Sequence, residues 1–313
     1  MLLKDYALKD IYLGKAGALF TGVPGTNDPI PAPAVYEKEL SEIRELCMNA
    51  FNKDSKDEFS IRHAEIAYRV ALLQSLEDTV FVLRRMPNVA LNLSQIDIHP
   101  NYIELLMTKG LTGLIIVAGA YGQGKTTTAS AIIKSRLNEQ GGVAITIEDP
   151  PEMPLEGPHG EGFCYQTWVD QGGFANACRK AARWAPSIIF LGEVRDQETA
   201  LEALKASING RLVICTTHAD SVATAIERIY SLASGSNSGS EDYSSLLANG
   251  LACVIHQELI GEPKAPKLNF LWINSESDDS GIRNNIRLRK WEQIENAVQF
   301  QKNKMLFNPS KAN

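Results

Sequence analysis

The period of apolar and polar positions changes near residue 100. Ahead of that point, short β-like runs ("DIYLGKAGALF", "AEIAYRVALLQS" and "DTVFVLRRM") flank one stretch of helical period, "PAVYEKELSEIRELCMNAFN". In the helical stretch Val35, Leu40, Ile43, Leu46, Cys47 and Ala50 are expected on one face, with the charges elsewhere. The pattern predicts a small α+β domain over residues 1–95. The segment "LNLSQIDIHPNYIELLMTKG", punctuated by Pro100 and Gly110, reads as a connector ending in a short helix, which places a linker at 96–110. Beyond it, "GLIIVAG", "GVAITIED", "SIIFLGE" and "RLVICTT" are unbroken apolar runs separated by helical segments. Such runs are the mark of parallel strands buried on both faces, so residues 111–313 are predicted to form an α/β domain. After about residue 232 the Ser- and Gly-rich "ASGSNSGSEDYSS" is expected to be a flexible loop. A β-like pair, "ACVIHQELIG" and "KLNFLWINS", follows it, then a helical tail from about Arg283 to Lys304.

Composition narrows the class. At 313 residues and 44% hydrophobic content, the chain can bury one large core or two smaller ones. With 31 basic against 37 acidic residues the formal net charge is −6, so no global positive field draws it to nucleic acid or anionic lipid. No apolar run reaches the roughly 18 residues of a membrane span. The start, "MLLKDYALKDIYLGK", is charged too early for a signal peptide. These features predict a cytosolic protein. The five cysteines form no C-x-x-C pair, and buried reduced thiols are expected rather than disulfides or a zinc knuckle.

The densest chemistry lies in "VAGAYGQGKTTTAS", a G-x-x-x-x-G-K-[ST] loop between an apolar strand and a helix. Gly119, Gly122 and Gly124 remove side chains where backbone must curl around phosphate oxygens, with Ala120, Tyr121 and Gln123 between them. Lys125 can reach the outer phosphates of a nucleotide, and the Thr126 hydroxyl is placed for Mg²⁺. Thr127 continues the first helical turn, whose positive end meets the anion. The next apolar run ends in "ITIEDPPE", carrying Glu148, Asp149 and Glu152 to the carboxyl edge of the sheet. Carboxylates gathered there either meet a cation and activate a water, or form a solvated acidic turn shaped by Pro150 and Pro151. "SIIFLGEVRD" puts Glu193 just beyond a strand, where an acid can hold Mg²⁺; Arg195 and Asp196 read as an ion pair beside it. "RLVICTTHADS" brings Thr216, Thr217 and His218 to the same edge, His218 within reach of a γ-phosphate.

In this order and wording, the four pieces resemble the Walker A, Asp box, Walker B and His box of the secretion ATPase superfamily. The resemblance is closest to pilus retraction ATPases of the PilT type and their DotB and TraJ relatives, and is strongest from Tyr68 to His218. It implies a RecA-like P-loop motor domain preceded by a PAS-like α+β domain, in a homohexameric ring. It also implies Glu152 as catalytic base, Glu148 and Asp149 as metal- or water-ordering neighbours, and Glu193 in the Mg²⁺ shell. In "YRVALLQSLEDTVFVLRRMP" the family's phosphate-neutralising arginines fall on Arg69 and Arg84, with Arg85 as the alternative register. Three departures stand out. "WAPS" replaces an acidic setting before the Walker B strand, and Tyr121 and Gln123 replace smaller loop residues. In "GIRNNIRLRKWEQIENAVQ", Arg283, Asn284, Ile286 and Arg287 match a retraction-motor element, while Leu288 stands where that element has a glutamate. No four-cysteine zinc insert of the extension motors is present.

The resemblance implies a cytoplasmic ATPase docked on an inner-membrane platform protein. It would couple ATP hydrolysis to domain rotation in a type IV pilus, a conjugation apparatus or a type IVB secretion machine. Membrane association would be peripheral, through that partner, with no direct nucleic acid contact. A RecA-like nucleic-acid translocase is the alternative. It requires basic pore loops, against which the acidic total stands.

Overall fold

The structure is a computed structural model that describes residues 2–169, 172–235, 242–262, 264–273 and 279–307. The chain divides into two compact units, Met1–Val89 with Glu152–Pro154, and Ala90–Pro151 with Leu155–Asn313.

In the first unit, β1 (Asp10–Gly14), β2 (Gly17–Thr21) and β3 (Ile30–Pro31) precede helix α1 (Glu37–Asp54), and β4 (Glu58–His63), β5 (Ile66–Gln74) and β6 (Thr79–Arg85) follow it. They form one antiparallel sheet in the order β3-β2-β1-β6-β5-β4. Alternation decides which face is buried: Ile11, Leu13, Phe20, Tyr68, Val70, Phe81 and Leu83 share a core with Leu40, Ile43 and Cys47 of α1. The helical stripe is narrower than its pattern predicts. Val35 is 66% exposed and Leu46 37%, while Tyr36, at 1%, turns inward. Val35 lies in the 3₁₀ turn before α1, where helical spacing does not apply, and the buried positions follow the spacing of residues 40, 43 and 47. β4 has no counterpart in the expected runs, because its apolar residues Phe59 and Ile61 alternate with Glu58, Ser60 and Arg62.

The second unit begins at Ala90, ahead of the linker expected at 96–110. It contains α2 (Pro100–Leu106), β7 (Gly113–Ala118), α3 (Lys125–Gln140), β8 (Gly142–Glu148), β9 (Gly157–His159) and β10 (Gly162–Trp168). Next come α4 (Phe174–Arg183), β11 (Ile188–Leu191), α5 (Gln197–Ile208), β12 (Leu212–Thr217), α6 (Val222–Ser234) and α7 (Tyr243–Gly250). β13 (Leu251–Ile260), β14 (Ala265–Trp272), α8 (Asp279–Arg287) and α9 (Trp291–Phe307) complete it. The sheet order is β14-β13-β7-β12-β11-β8-β10-β9, parallel from β13 to β10 and antiparallel at both edges. One face, through Leu114, Ile116, Ile147, Leu191 and Cys215, packs against residues of α4 to α9. Helix α3 packs against β7, β8, β10 and β12. Every residue of β7 and β12 is buried, which is why both read as continuous apolar runs.

Segment 90–108 goes with this unit because the far end of α3 binds its backbone. Lys134 Nζ donates to the Ala90 carbonyl at 2.5 Å, and Ser135 Oγ accepts from Leu93 N–H at 2.9 Å. Arg136 donates to the Leu106 and Thr108 carbonyls at 2.6 and 3.1 Å, and Gln140 to that of Met107 at 2.6 Å. Burial lowers the Arg136 pKa, the cost of placing a guanidinium on these helix-end carbonyls. The expected loop after residue 232 is shorter than predicted: Tyr243–Gly250 is helical, and 236–241 lie outside the described residues. Asn274 and Ser275 of "KLNFLWINS" also lie outside them. The helical tail is two helices, broken where Arg289 takes a φ of 56°. All five cysteines are buried. Among the described residues no helix is long and apolar enough to cross a membrane.

Candidate nucleotide site

Parallel strands deliver the candidate residues to one sheet edge. The loop 119–124 follows β7, and α3 opens directly at Lys125 with no acidic residue in its first turn. The positive end of its dipole therefore faces whatever the loop holds. Two glycines are sterically required. At Gly119 (φ +152°) an added Cβ would lie 2.4 Å from the Gln257 carbonyl oxygen, and at Gly124 (φ +76°) it would lie 2.9 Å from Gln257 Nε2. Tyr121 is 78% exposed.

A continuous polar chain crosses the ends of β7, β12 and β11. Lys125, 8% exposed, donates through Nζ to the Ala120 carbonyl at 2.8 Å and lies 3.4 Å from His218 Nδ1. His218 Nε2 lies 3.4 Å from Glu193 Oε1. Glu193 Oε2 accepts from Arg195 Nε at 2.8 Å and lies 2.6 Å from its terminal nitrogen. The Tyr121 ring stacks near-parallel on His218, centroids 6.5 Å apart and planes 18° apart. Thr216 Oγ1 donates to the Gly192 carbonyl and joins the ends of β12 and β11.

Arg195 pairs with Glu193, and Asp196, expected as its ion-pair partner, has another role. Asp196 caps α5, accepting from Thr199 N–H at 2.8 Å and from its hydroxyl at 2.9 Å. The acids after β8 have separate surroundings. Glu148 is 2% exposed and accepts from Gln166 Nε2 at 3.1 Å, and Asp149 accepts from Trp168 Nε1 at 3.1 Å. Glu152 is exposed and falls with the first unit in the division of the chain. Among the described residues no three His, Cys, Asp or Glu side chains form a metal cage.

In the first unit, Arg69 and Arg84 are cross-strand partners on β5 and β6. Arg69 pairs with Glu58 at 2.9 Å and Arg84 with Asp10 at 2.8 Å, so each like charge is matched. Arg85 donates to the Tyr6 carbonyl at 3.0 Å and to the Lys4 carbonyl. Arg283, in the element that matches retraction motors, donates to the carbonyls of Ala248 and, at 3.0 Å, Ile273. It caps α7 and is not directed at the loop.

Sequence reasoning missed Gln257, a buried polar residue on β13 that touches the loop. Its only signal in the sequence was a polar residue, next to His256, inside an otherwise apolar run.

Strand, glycine loop and helix in this order define a mixed α/β protein with a loop shaped to receive an anion. The chain belongs to the type II/IV secretion system protein family, which it matches over residues 48–292. It is 34% identical over 212 residues to the putative type II secretion system protein E of Escherichia coli K12, covering 66% of this chain and 41% of that one. It is 29% identical over 246 residues to the type IV pilus ATPase PilU of Pseudomonas aeruginosa, covering 77% of this chain and 62% of that one. The crystal structure of the pilus retraction motor PilT with bound ADP superposes with a TM-score of 0.76 at 26% identity, over 95% of this chain and 87% of that one. The chain thus spans about two fifths of the type II secretion relative and most of the retraction motor.

Proposed function

We propose that this chain is a Mg²⁺-dependent ATP hydrolase that powers a type IV pilus or a related secretion or conjugation machine. The observation that carries the reading is the Lys125–His218–Glu193 chain at the carboxyl ends of three adjacent strands. Its likeness to secretion and pilus proteins supports that class over a nucleic-acid translocase. In this reading the second unit is a RecA-like motor and the first a PAS-like domain, assembled as a homohexamer on an inner-membrane platform protein. The machine would work at the cytoplasmic face of that membrane.

The residues present suit nucleotide and metal. The loop offers backbone amides at a helix start, and Thr126 and Glu193 offer the hard oxygen donors that Mg²⁺ takes together with phosphate and water. Mg²⁺ held there would neutralise charge on the outer phosphates. Lys125, now on the Ala120 carbonyl, exchanges that acceptor for a phosphate oxygen. Glu152 orients the attacking water as base, and His218 senses the γ-phosphate through its contact with Lys125. Arg69 and Arg84 supply positive charge to the transferring phosphoryl by giving up their carboxylate partners. The nucleotide can drive rotation only through contacts that differ between two arrangements of the domains.

The test is phosphate release from Mg-ATP by the purified chain, with sedimentation to count copies. Glu152→Gln should abolish release while ADP still binds. Full release in that variant would move the base to Glu148 or Glu193.

A further inference from the structure

Gln257 is 2% exposed, and both ends of its amide are used. Nε2 donates to the Gln123 carbonyl at 2.6 Å, and Oε1 accepts from Thr128 Oγ1 at 2.6 Å. Two residues along β13, the Leu259 N–H donates to Gln123 Oε1, also at 2.6 Å. One strand thereby holds the last turn of the phosphate loop by its backbone and by its side chain, and holds the first turn of α3 by a hydroxyl. The close approach runs the length of the loop, since Gln257 atoms are what a Cβ at Gly119 or Gly124 would strike.

The geometry has a direct consequence for anion binding. A trans peptide is planar, with its C=O and N–H pointing in opposite directions. Fixing the Gln123 carbonyl on Gln257 therefore turns the Gly124 N–H away from β13. Gln123 lies between Gly122 and Gly124, the residues least able to hold such an orientation unaided. A carboxamide is well suited here because it offers a donor and an acceptor without a charge that would compete for the phosphate.

We propose that Gln257 is a positioning residue for the phosphate loop, which sets the Gln123–Gly124 peptide in its anion-binding orientation before nucleotide arrives. This rests on the nucleotide reading above. Gln257 acts through the loop, so its removal weakens phosphate binding more than it slows the chemical step. Gln257→Met keeps the length of the side chain and loses both hydrogen bonds. Binding of inorganic triphosphate and of ADP, measured by calorimetry, should weaken about tenfold each, as loss of one to two net hydrogen bonds implies. The KM for ATP should rise with them, and kcat should fall by less. Thr128→Val, which frees the Oε1 end without changing volume, should weaken triphosphate binding in the same direction. Combined with Gln257→Met it should add nothing further. If Gln257→Met does not fold, judged by its melting curve, Thr128→Val decides alone.

Unchanged triphosphate affinity in the folded Gln257→Met variant, or in Thr128→Val when it stands alone, overturns the proposal. So does a fall in kcat with KM and affinity unchanged. Failure of the unaltered chain to bind triphosphate or ADP would overturn the nucleotide reading as well, which separates the two failures.

Discussion

The two sheets of this protein handle charge in opposite ways. Across one face of the first unit's sheet runs a row of charges, Glu58, Arg69, Arg84 and Asp10, in which the two neighbouring arginines each pair with a carboxylate on the strand beyond. In the second unit the interiors of β7, β11 and β12 carry no charge, and Lys125, Glu193 and His218 lie just past the strand ends. An antiparallel sheet with one face packed leaves the other free for ionised side chains, whereas a parallel sheet covered on both faces excludes them until the strands stop. Charge is therefore spread and mutually satisfied in the first unit, and gathered at one edge in the second, where a ligand can complete it.

The largest expected effect tests the gathered charges. Lys125→Ala should cut ATP turnover about 100- to 1,000-fold, as removal of one preorganised charge does, with the fold intact by circular dichroism. Turnover within a few-fold of the unaltered chain would break the assignment of the edge as the reactive one. The spread charges come next. Arg69→Gln should change unfolding free energy by less than about 1 kcal/mol, because a partly exposed ion pair contributes little, whereas Arg84→Gln should destabilise more, because it takes two hydrogen bonds from the buried Asp10 carboxylate. If these arginines serve phosphoryl transfer, turnover should still fall about tenfold or more. Unchanged turnover would leave them as surface pairs of their own sheet.

A smaller effect compares the units as folded bodies. Burial pushes the thiols of Cys47, Cys164, Cys178 and Cys215 up to about 12, and that of Cys253 well above its ordinary value. At pH 8 a thiol-specific reagent should therefore label none of the five in the native chain. Cys47 lies in the first unit and the other four in the second. Labelling of Cys47 alone at intermediate denaturant would show the first unit opening by itself, and simultaneous labelling of all five would show one cooperative transition. The smallest effect concerns Asp242, the cap of α7. Hydrogen bonds from the Ser245 and Ser244 hydroxyls and the Ser245 N–H hold its carboxyl down at about 2. Its stabilising contribution is full above the ordinary carboxylate value near 3.8 and is lost as pH falls through 2. The gap in melting temperature between the unaltered chain and Asp242→Asn should be constant near neutrality and close between pH 4 and 2.

Much of this architecture was legible because its signals are local. Alternation marked β1, β2, β5 and β6, and unbroken apolar runs marked β7, β8, β11 and β12. Where local pattern and tertiary surroundings diverged, the pattern misled. Segment 96–110 reads as a linker because its own side chains are mixed, while side chains of α3 bind its Leu106 and Met107 carbonyls. β4 reads as polar because its exposed positions are Glu58, Ser60 and Arg62. Asp196 reads as an ion-pair partner of its neighbour, but the start of α5 claims it as a cap.

The sequence by itself determined the glycine loop, the helix start at its end, and the order in which Glu148, Glu193 and His218 follow the strands. Each of these depends on residues within a turn or a strand of one another. Only the tertiary structure decided that Lys125 meets His218 across 93 residues, and that Thr128 meets Gln257 across 129. A hydrogen bond reaches about 3 Å, so such pairs exist only once strand order has placed β12 on one side of β7 and β13 on the other. No local pattern carries that order, because it is set by which buried faces pack together.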